Sequence, residues 1–261
     1  MTRIVAVANQ KGGVGKTTTS INLAASLGEQ GRRVLLIDLD PQGNATMGSG
    51  VTEAETGIYD VLLADAEATS AIARLPCGYD LLAAHADLSG AELELAQVPQ
   101  RERRLALALQ PLHDAYDYIY IDCPPALSLL TVNALVAAHA VLIPMQCEYY
   151  ALEGLTALLA TVRRVRSSFN AGLMIEGLLR TMFDARNSLA VEVSDQLVRH
   201  FGAQLFQTVI PRNVRLAEAP SHGQPVLQYD RASKGAQAYL ALAGEILARE
   251  SPPHHRGDTP S

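Results

Sequence analysis

Apolar residues in this chain fall into short unbroken runs separated by longer stretches in which they recur every three or four positions. Residues 3–8 (Arg-Ile-Val-Ala-Val-Ala) read as a buried strand. Residues 33–38 form a continuous apolar run ending in Asp38, the pattern of a strand covered on both faces of a parallel sheet. The same pattern recurs at 117–122, 140–144 and 173–181. Helical periodicity marks residues 17–30, where Ile21, Leu23, Ala24, Ala25 and Leu27 supply the apolar side, and residues 127–138, 152–169, 188–201 and 235–250. Strands alternating with helices predict an α/β fold: a doubly wound, mostly parallel sheet with helices on both faces. There is no long internal repeat and no Pro-, Gly- or Ser-rich linker before the end. At 261 residues one domain is favoured over two. Residues 1–250 are therefore expected to form a single domain, and 251–261 a disordered tail in which His254 and His255 are solvated rather than metal-binding.

Composition narrows the class. No apolar run approaches the ~20 residues that cross a bilayer. The chain opens directly as a strand, without a basic segment or a small-residue cleavage site, so no signal peptide is expected. Cys77, Cys123 and Cys147 are far apart and lack metal-ligand spacing, which points to a reduced, cytoplasmic protein. The net charge of −6 argues against a polyanion partner, but the charge is unevenly spread. Residues 1–159 carry 9 basic and 18 acidic side chains, whereas residues 160–235 carry 10 and 6. That third quarter could face a polyanion, or simply present solvated helix faces. Of 21 basic residues only Lys11, Lys16 and Lys234 are lysines, and two of these lie within residues 11–18. A compact ammonium on a flexible stem reaches between phosphate oxygens better than a planar guanidinium does.

Those two lysines belong to Lys11-Gly12-Gly13-Val14-Gly15-Lys16-Thr17-Thr18, which follows the strand at 3–8 and opens the helix at 17–30. That context is what makes a glycine-rich Gly-Lys-Thr loop a phosphate-binding loop for MgATP. The glycines let backbone N–H groups turn toward phosphates, and the helix N-terminus adds partial positive charge. Lys16 would bridge the β- and γ-phosphates while the Thr17 hydroxyl ligates Mg²⁺. The first glycine of the usual pattern is replaced by Gln10, with Lys11 beside it. Asp38, Asp40 and Asp122 close predicted strands, where carboxylates face the ligand crevice of an open α/β sheet. Asp122 suits a magnesium-holding role, directly or through water, and Asp38 suits either an outer carboxylate or a helix-capping acid.

This variant loop resembles the deviant Walker A class, and the resemblance continues to the chromosome-partitioning ATPases of the ParA/Soj type. It rests on Asn9-Gln10 with the loop, on residues 38–46 (Asp-Leu-Asp-Pro-Gln-Gly-Asn-Ala-Thr), on Asp122-Cys123-Pro124-Pro125, and on residues 144–154 and 210–223. The resemblance implies that Asp40 orients the attacking water and that Lys11 crosses a dimer interface to the other subunit's nucleotide. Pro211 and Asn213 would meet the adenine. It further implies an ATP-dependent homodimer that binds double-stranded DNA of the nucleoid without sequence preference. Arg186 and Arg215 occupy the positions that would touch DNA. Slow hydrolysis, stimulated by a ParB-like centromere-binding protein, would release the dimer.

Three rivals share the scaffold. A MinD-like membrane ATPase needs an amphipathic C-terminal anchor, which Pro252, Pro253 and a polar tail do not supply. A nitrogenase iron protein needs a cluster-binding cysteine set, whereas Cys123 and Cys147 sit in segments shared with partitioning ATPases and read as buried thiols. An ATP-dependent amide synthase needs a substrate pocket for which this short chain leaves little room. Arg163, Arg164 and Arg166 are better explained by a helix C-terminus than by DNA. A short N-terminus without an extra DNA-binding unit favours a chromosomal over a plasmid role.

Overall fold

A computed structural model describes residues 2–149 and 151–250. Among these, seven strands form one sheet: β1 (Arg3–Val7), β2 (Val34–Asp38), β3 (Ile72–Arg74), β4 (Asp80–Leu82), β5 (Tyr118–Asp122), β6 (Ala140–Gln146) and β7 (Met174–Thr181). Their order is β3-β4-β2-β5-β1-β6-β7, and every neighbouring pair is parallel except β3–β4. The helices are α1 (Lys16–Glu29), α2 (Asn44–Gly48), α3 (Ile58–Leu63), α4 (Ala91–Leu95), α5 (Arg104–Ala108), α6 (Leu129–Ala137), α7 (Ala151–Ser168), α8 (Ser188–Phe201), α9 (Val214–Glu218), α10 (Val226–Tyr229) and α11 (Lys234–Glu250).

The period of two along each strand divides the core. Ile4, Ala6, Ile119, Ile121, Val141 and Ile143 pack with Leu130, Leu155 and Leu197 of α6, α7 and α8 on one face. Val5, Val7, Tyr118, Tyr120 and Leu142 pack with Leu23, Leu27, Leu242 and Ile246 of α1 and α11 on the other. Both faces are covered, which is why the strands read as unbroken apolar runs. The doubly wound α/β fold expected from the sequence is the fold found. Strands β3 and β4 and the short helices between residues 44 and 108 were not anticipated. Three residues carry too little periodicity to register, and β3 is a partly exposed edge.

Because the strands are parallel, the loops following β1, β2, β5, β6 and β7 meet along one edge of the sheet. At the opposite edge, where the strands begin, the polypeptide is packed closely. A Cβ on Gly28 of α1 would lie 1.9 Å from the carbonyl oxygen of Gly78, so only glycine lets α1 sit on the turn before β4. No helix among the described residues is long and apolar enough to cross a membrane. The tail expected at 251–261 lies outside the described residues.

Candidate functional site

The loop between β1 and α1 wraps around its own backbone. Gly13 (φ +73°) and Gly15 (φ +86°) occupy the left-handed region, and Gly15 caps the N-terminus of α1. A Cβ on Gly12 or Gly13 would meet nothing within 4 Å, so both glycines border open space. Neighbouring strand ends brace the loop. Asn9 accepts the Lys11 N–H at Oδ1 (3.0 Å) and donates from Nδ2 to the Pro144 carbonyl on β6 (2.7 Å). The Thr181 hydroxyl donates to the Val14 carbonyl (2.8 Å), and Gln146 Nε2 donates to the Gly13 carbonyl (3.3 Å).

Charged groups converge beneath this loop. Lys16 is buried, with Nζ 3.4 Å from the Lys11 carbonyl. Burial lowers its pKa, opposed chiefly by Asp122. Asp122, fully buried at the end of β5, accepts from the Thr17 hydroxyl (2.7 Å) and the Ser20 hydroxyl (2.8 Å). Ser20 was not singled out from the sequence, although its i+3 spacing from Thr17 places both hydroxyls on one face of α1. Asp38 lies opposite Asp122 in the β2–β5 register. Its Oδ2 accepts the Thr46 N–H (2.7 Å) and hydroxyl (2.8 Å), and the same hydroxyl oxygen accepts the Ala84 N–H (2.9 Å). Asp38 thus holds the first turn of α2, and through Thr46 it ties β2 to the residue two past the end of β4. Burial raises the pKa of both Asp38 and Asp122, and Asp38's charge adds to the rise at Asp122. A cation beside Asp122 would relieve that penalty. Thr17 borders an open cavity and Asp122 stands directly behind its hydroxyl, a pair that suits Mg²⁺, which keeps several of its own waters.

Two cavities open from the loop. The larger, of about 650 Å³, is bordered by Gly12, Gly13, Lys16, Thr17, Asp40 and Pro125. Asp40 is nearly buried and accepts the Gln42 N–H at Oδ1 (3.0 Å). The smaller, of about 390 Å³, is walled by Ile210, Pro211, Asn213, Leu216 and Tyr239. Gly15, Thr18 and Met182 border both. The larger chamber holds the loop glycines and the charged side chains of Lys16 and Asp40, and the smaller one beside it is walled mainly by apolar groups. Pro211 and Asn213, the expected base contacts, line this smaller chamber. The Asn213 oxygen is committed to capping α9 through the Arg215 N–H (3.0 Å), which leaves its amide nitrogen as the donor.

Comparison with known proteins shows the family of the chain. A family model described as an AAA domain matches residues 2–175. The sporulation initiation inhibitor protein Soj of Bacillus subtilis is 54% identical over 251 residues, covering 95% of this chain and 99% of its own. The chromosome partitioning protein ParA of Caulobacter vibrioides is 53% identical over 254 residues, covering 95% of both. The chain belongs to the ParA/Soj family of partitioning ATPases. Among solved structures, a protein named cobyrinic acid a,c-diamide synthase from Mycobacterium smegmatis, with bound ADP and magnesium, superposes with a TM-score of 0.83. It is 40% identical, over 95% of each chain. The cell division ATPase MinD of Pyrococcus furiosus superposes at 0.81 with 28% identity, over 95% of this chain and 100% of its own.

Lys11, Arg186 and Arg215, the remaining candidate residues, line neither cavity. Lys11 pairs with Glu148 of the same chain, just past β6, and both side chains are partly exposed. Arg186 is 90% exposed, with Nε and Nη2 donating to the two oxygens of Asp184 (2.9 and 2.8 Å). Arg215 pairs with Glu218 (2.8 Å) and Asp230 (3.2 Å). Each candidate DNA contact therefore starts with an acidic partner, as does Lys11. Glu148 and Glu218 lie within segments that carry the family resemblance, but the sequence did not pair these acids with the cations they hold. Arg166 lies in the last turn of α7, where a cation complements the helix dipole. Cys77, Cys123 and Cys147 are free and buried, and burial pushes the Cys147 thiol up to about 11.

Proposed function

We propose that this chain is a partitioning ATPase that dimerises on MgATP, binds DNA without sequence preference as the dimer, and leaves DNA on slow hydrolysis stimulated by a ParB-like partner. The observation that carries the reading is that Lys16, Thr17 and Asp40 border one glycine-lined cavity, with Asp122 buried directly behind Thr17, in a chain that belongs to a family of partitioning ATPases. Residues 1–250 act as one ATPase unit in the cytoplasm, on the nucleoid.

Lys16 neutralises the β- and γ-phosphates, and the loop N–H groups from Gly12 to Thr18, including that of Val14, cradle them. Thr17 holds Mg²⁺, with Asp122 doing so directly or through water. When bound, Mg²⁺ supplies positive charge against the negative charge developing on the phosphates. Asp40 holds the attacking water in line, a positioning task that phosphoryl transfer demands more than covalent help. Pro211 packs on the base, and the Asn213 amide donates to its edge. Lys11 exchanges Glu148 for the nucleotide of the partner subunit, adding a cation in trans. Arg186 and Arg215 exchange their carboxylates for DNA phosphates, and dimerisation joins two weak patches into a useful one. Like-charge density in residues 160–235 supports that surface.

Asp40→Ala separates these roles. The variant keeps ATP-dependent dimers and DNA binding and loses turnover by about 100-fold or more, as expected when the residue that aligns the nucleophile is removed. A monomeric Asp40→Ala protein with normal turnover would sink the assignment.

A second reading, an ATP-dependent metabolic enzyme, draws on the 40% identity to the protein named as a diamide synthase. Fast ATP hydrolysis that neither DNA nor any partner protein alters would favour it.

A further inference from the structure

Met182 borders both cavities with a long, apolar side chain while its backbone is strained. Its φ is +48°, in the left-handed region where glycine is at ease and asparagine or aspartate are the usual exceptions. Among the described residues the other non-glycine positions with positive φ are Asp65 and Gln100, and neither borders these chambers. A strained residue persists only where its surroundings over-determine it, and such residues gather at functional sites. Met182 is pinned on both sides. Thr181 before it donates to the Val14 carbonyl of the phosphate loop. Phe183 after it donates its N–H to the Ile210 carbonyl (3.0 Å) and accepts the Arg212 N–H (3.3 Å), which ties it to the wall of the smaller chamber.

The side chain faces the same junction. Its Cε lies 3.7 Å from where a Cβ on Gly15 would stand, and Gln146 Nε2 donates to its sulfur (2.8 Å) while also reaching the Gly13 carbonyl. A glycine at 182 would meet the backbone requirement without strain. A methionine there implies that the side chain itself is needed, and a polarisable thioether is well suited to lie against an aromatic base.

We propose that Met182 is a nucleoside-contact residue, whose thioether packs against the sugar–base part of the bound nucleotide where the phosphate and base chambers join. This rests on the nucleotide-binding reading of the loop.

The test compares wild type with Met182→Gly and Met182→Leu for binding of ADP and of inorganic tripolyphosphate, each with Mg²⁺, by calorimetry. Met182→Gly, which relieves the backbone strain and so should fold, is expected to weaken ADP about five- to tenfold and tripolyphosphate by less than about twofold. Met182→Leu, which restores an apolar side chain, should recover most of the ADP affinity. Unchanged ADP affinity in Met182→Gly overturns the proposal, and so does an equal loss for ADP and tripolyphosphate, which would mean that Met182 acts only through the phosphate loop. A wild-type protein that binds neither ligand would instead overturn the nucleotide reading on which the proposal stands.

Discussion

At the scale of single residues, the buried carboxylates Asp38 and Asp122 dominate the energetics of the site. Each is wholly buried and each is pushed above the ordinary carboxylate range by that burial. A carboxyl with a raised pKa keeps its proton in the folded state when the unfolded chain has already lost it. The folded state is then favoured at low pH, and that advantage is lost as pH rises from the ordinary carboxylate range, about 3.9, through the folded pKa. The ligand-free protein is therefore expected to melt at lower temperature as pH rises from about 5 to about 8, and Asp38→Asn should flatten that slope. Thermal melts of both proteins across that range check this; identical slopes would contradict it. The sequence located these acids at strand ends because continuous apolar runs stop at them. It left the role of Asp38 open because Thr46 and Ala84, its partners directly and through Thr46, belong to elements brought alongside only by folding. The pairs Lys11–Glu148 and Arg215–Asp230 were illegible for the same reason.

At the scale of elements, α1 is the platform on which the site is built. Its first turn presents Thr17 and Ser20 to Asp122, Thr19 bonds Tyr239 of α11 (3.1 Å), and Asn22 accepts the Val226 N–H of α10 (2.7 Å). Farther along, Gly28 lies against Gly78. Gly28→Ala forces backbone against backbone there and should destabilise the fold by about 1–3 kcal/mol, as overpacking does. Urea unfolding reads this out as a lower midpoint at unchanged slope; an unchanged midpoint would refute the contact. Helices α1, α6, α7, α8 and α11 were legible because each spans several turns of one periodicity. The region from α2 to α5 was not, because its helices are five or six residues long and their positions are fixed by packing rather than pattern. Nothing in the spacing singled out Gln146 or Thr181 either, since their bonds to the loop cross from β6 and β7 to residues near position 14.

At the scale of the whole molecule, the two chambers and the proposed DNA contacts are joined by segments only a few residues long. Met182 borders the chamber and Arg186 follows four positions later; Asn213 borders it and Arg215 follows after two. The bridge between Phe183 and Pro211 links the two segments. Both arginines rest on carboxylates in the monomer, exposed pairs that contribute little to stability and so can be exchanged for phosphate at small cost. A net charge of −6 keeps a single subunit's attraction to DNA weak, so the dimer is the form expected to bind. Co-sedimentation with DNA in ADP, in ATP and in a slowly hydrolysed ATP analogue, each at about 50 mM and about 200 mM salt, tests this central claim most directly. Binding should require ATP or the analogue and should fall steeply at the higher salt. Equal binding in ADP, or no binding in any nucleotide state, would contradict it.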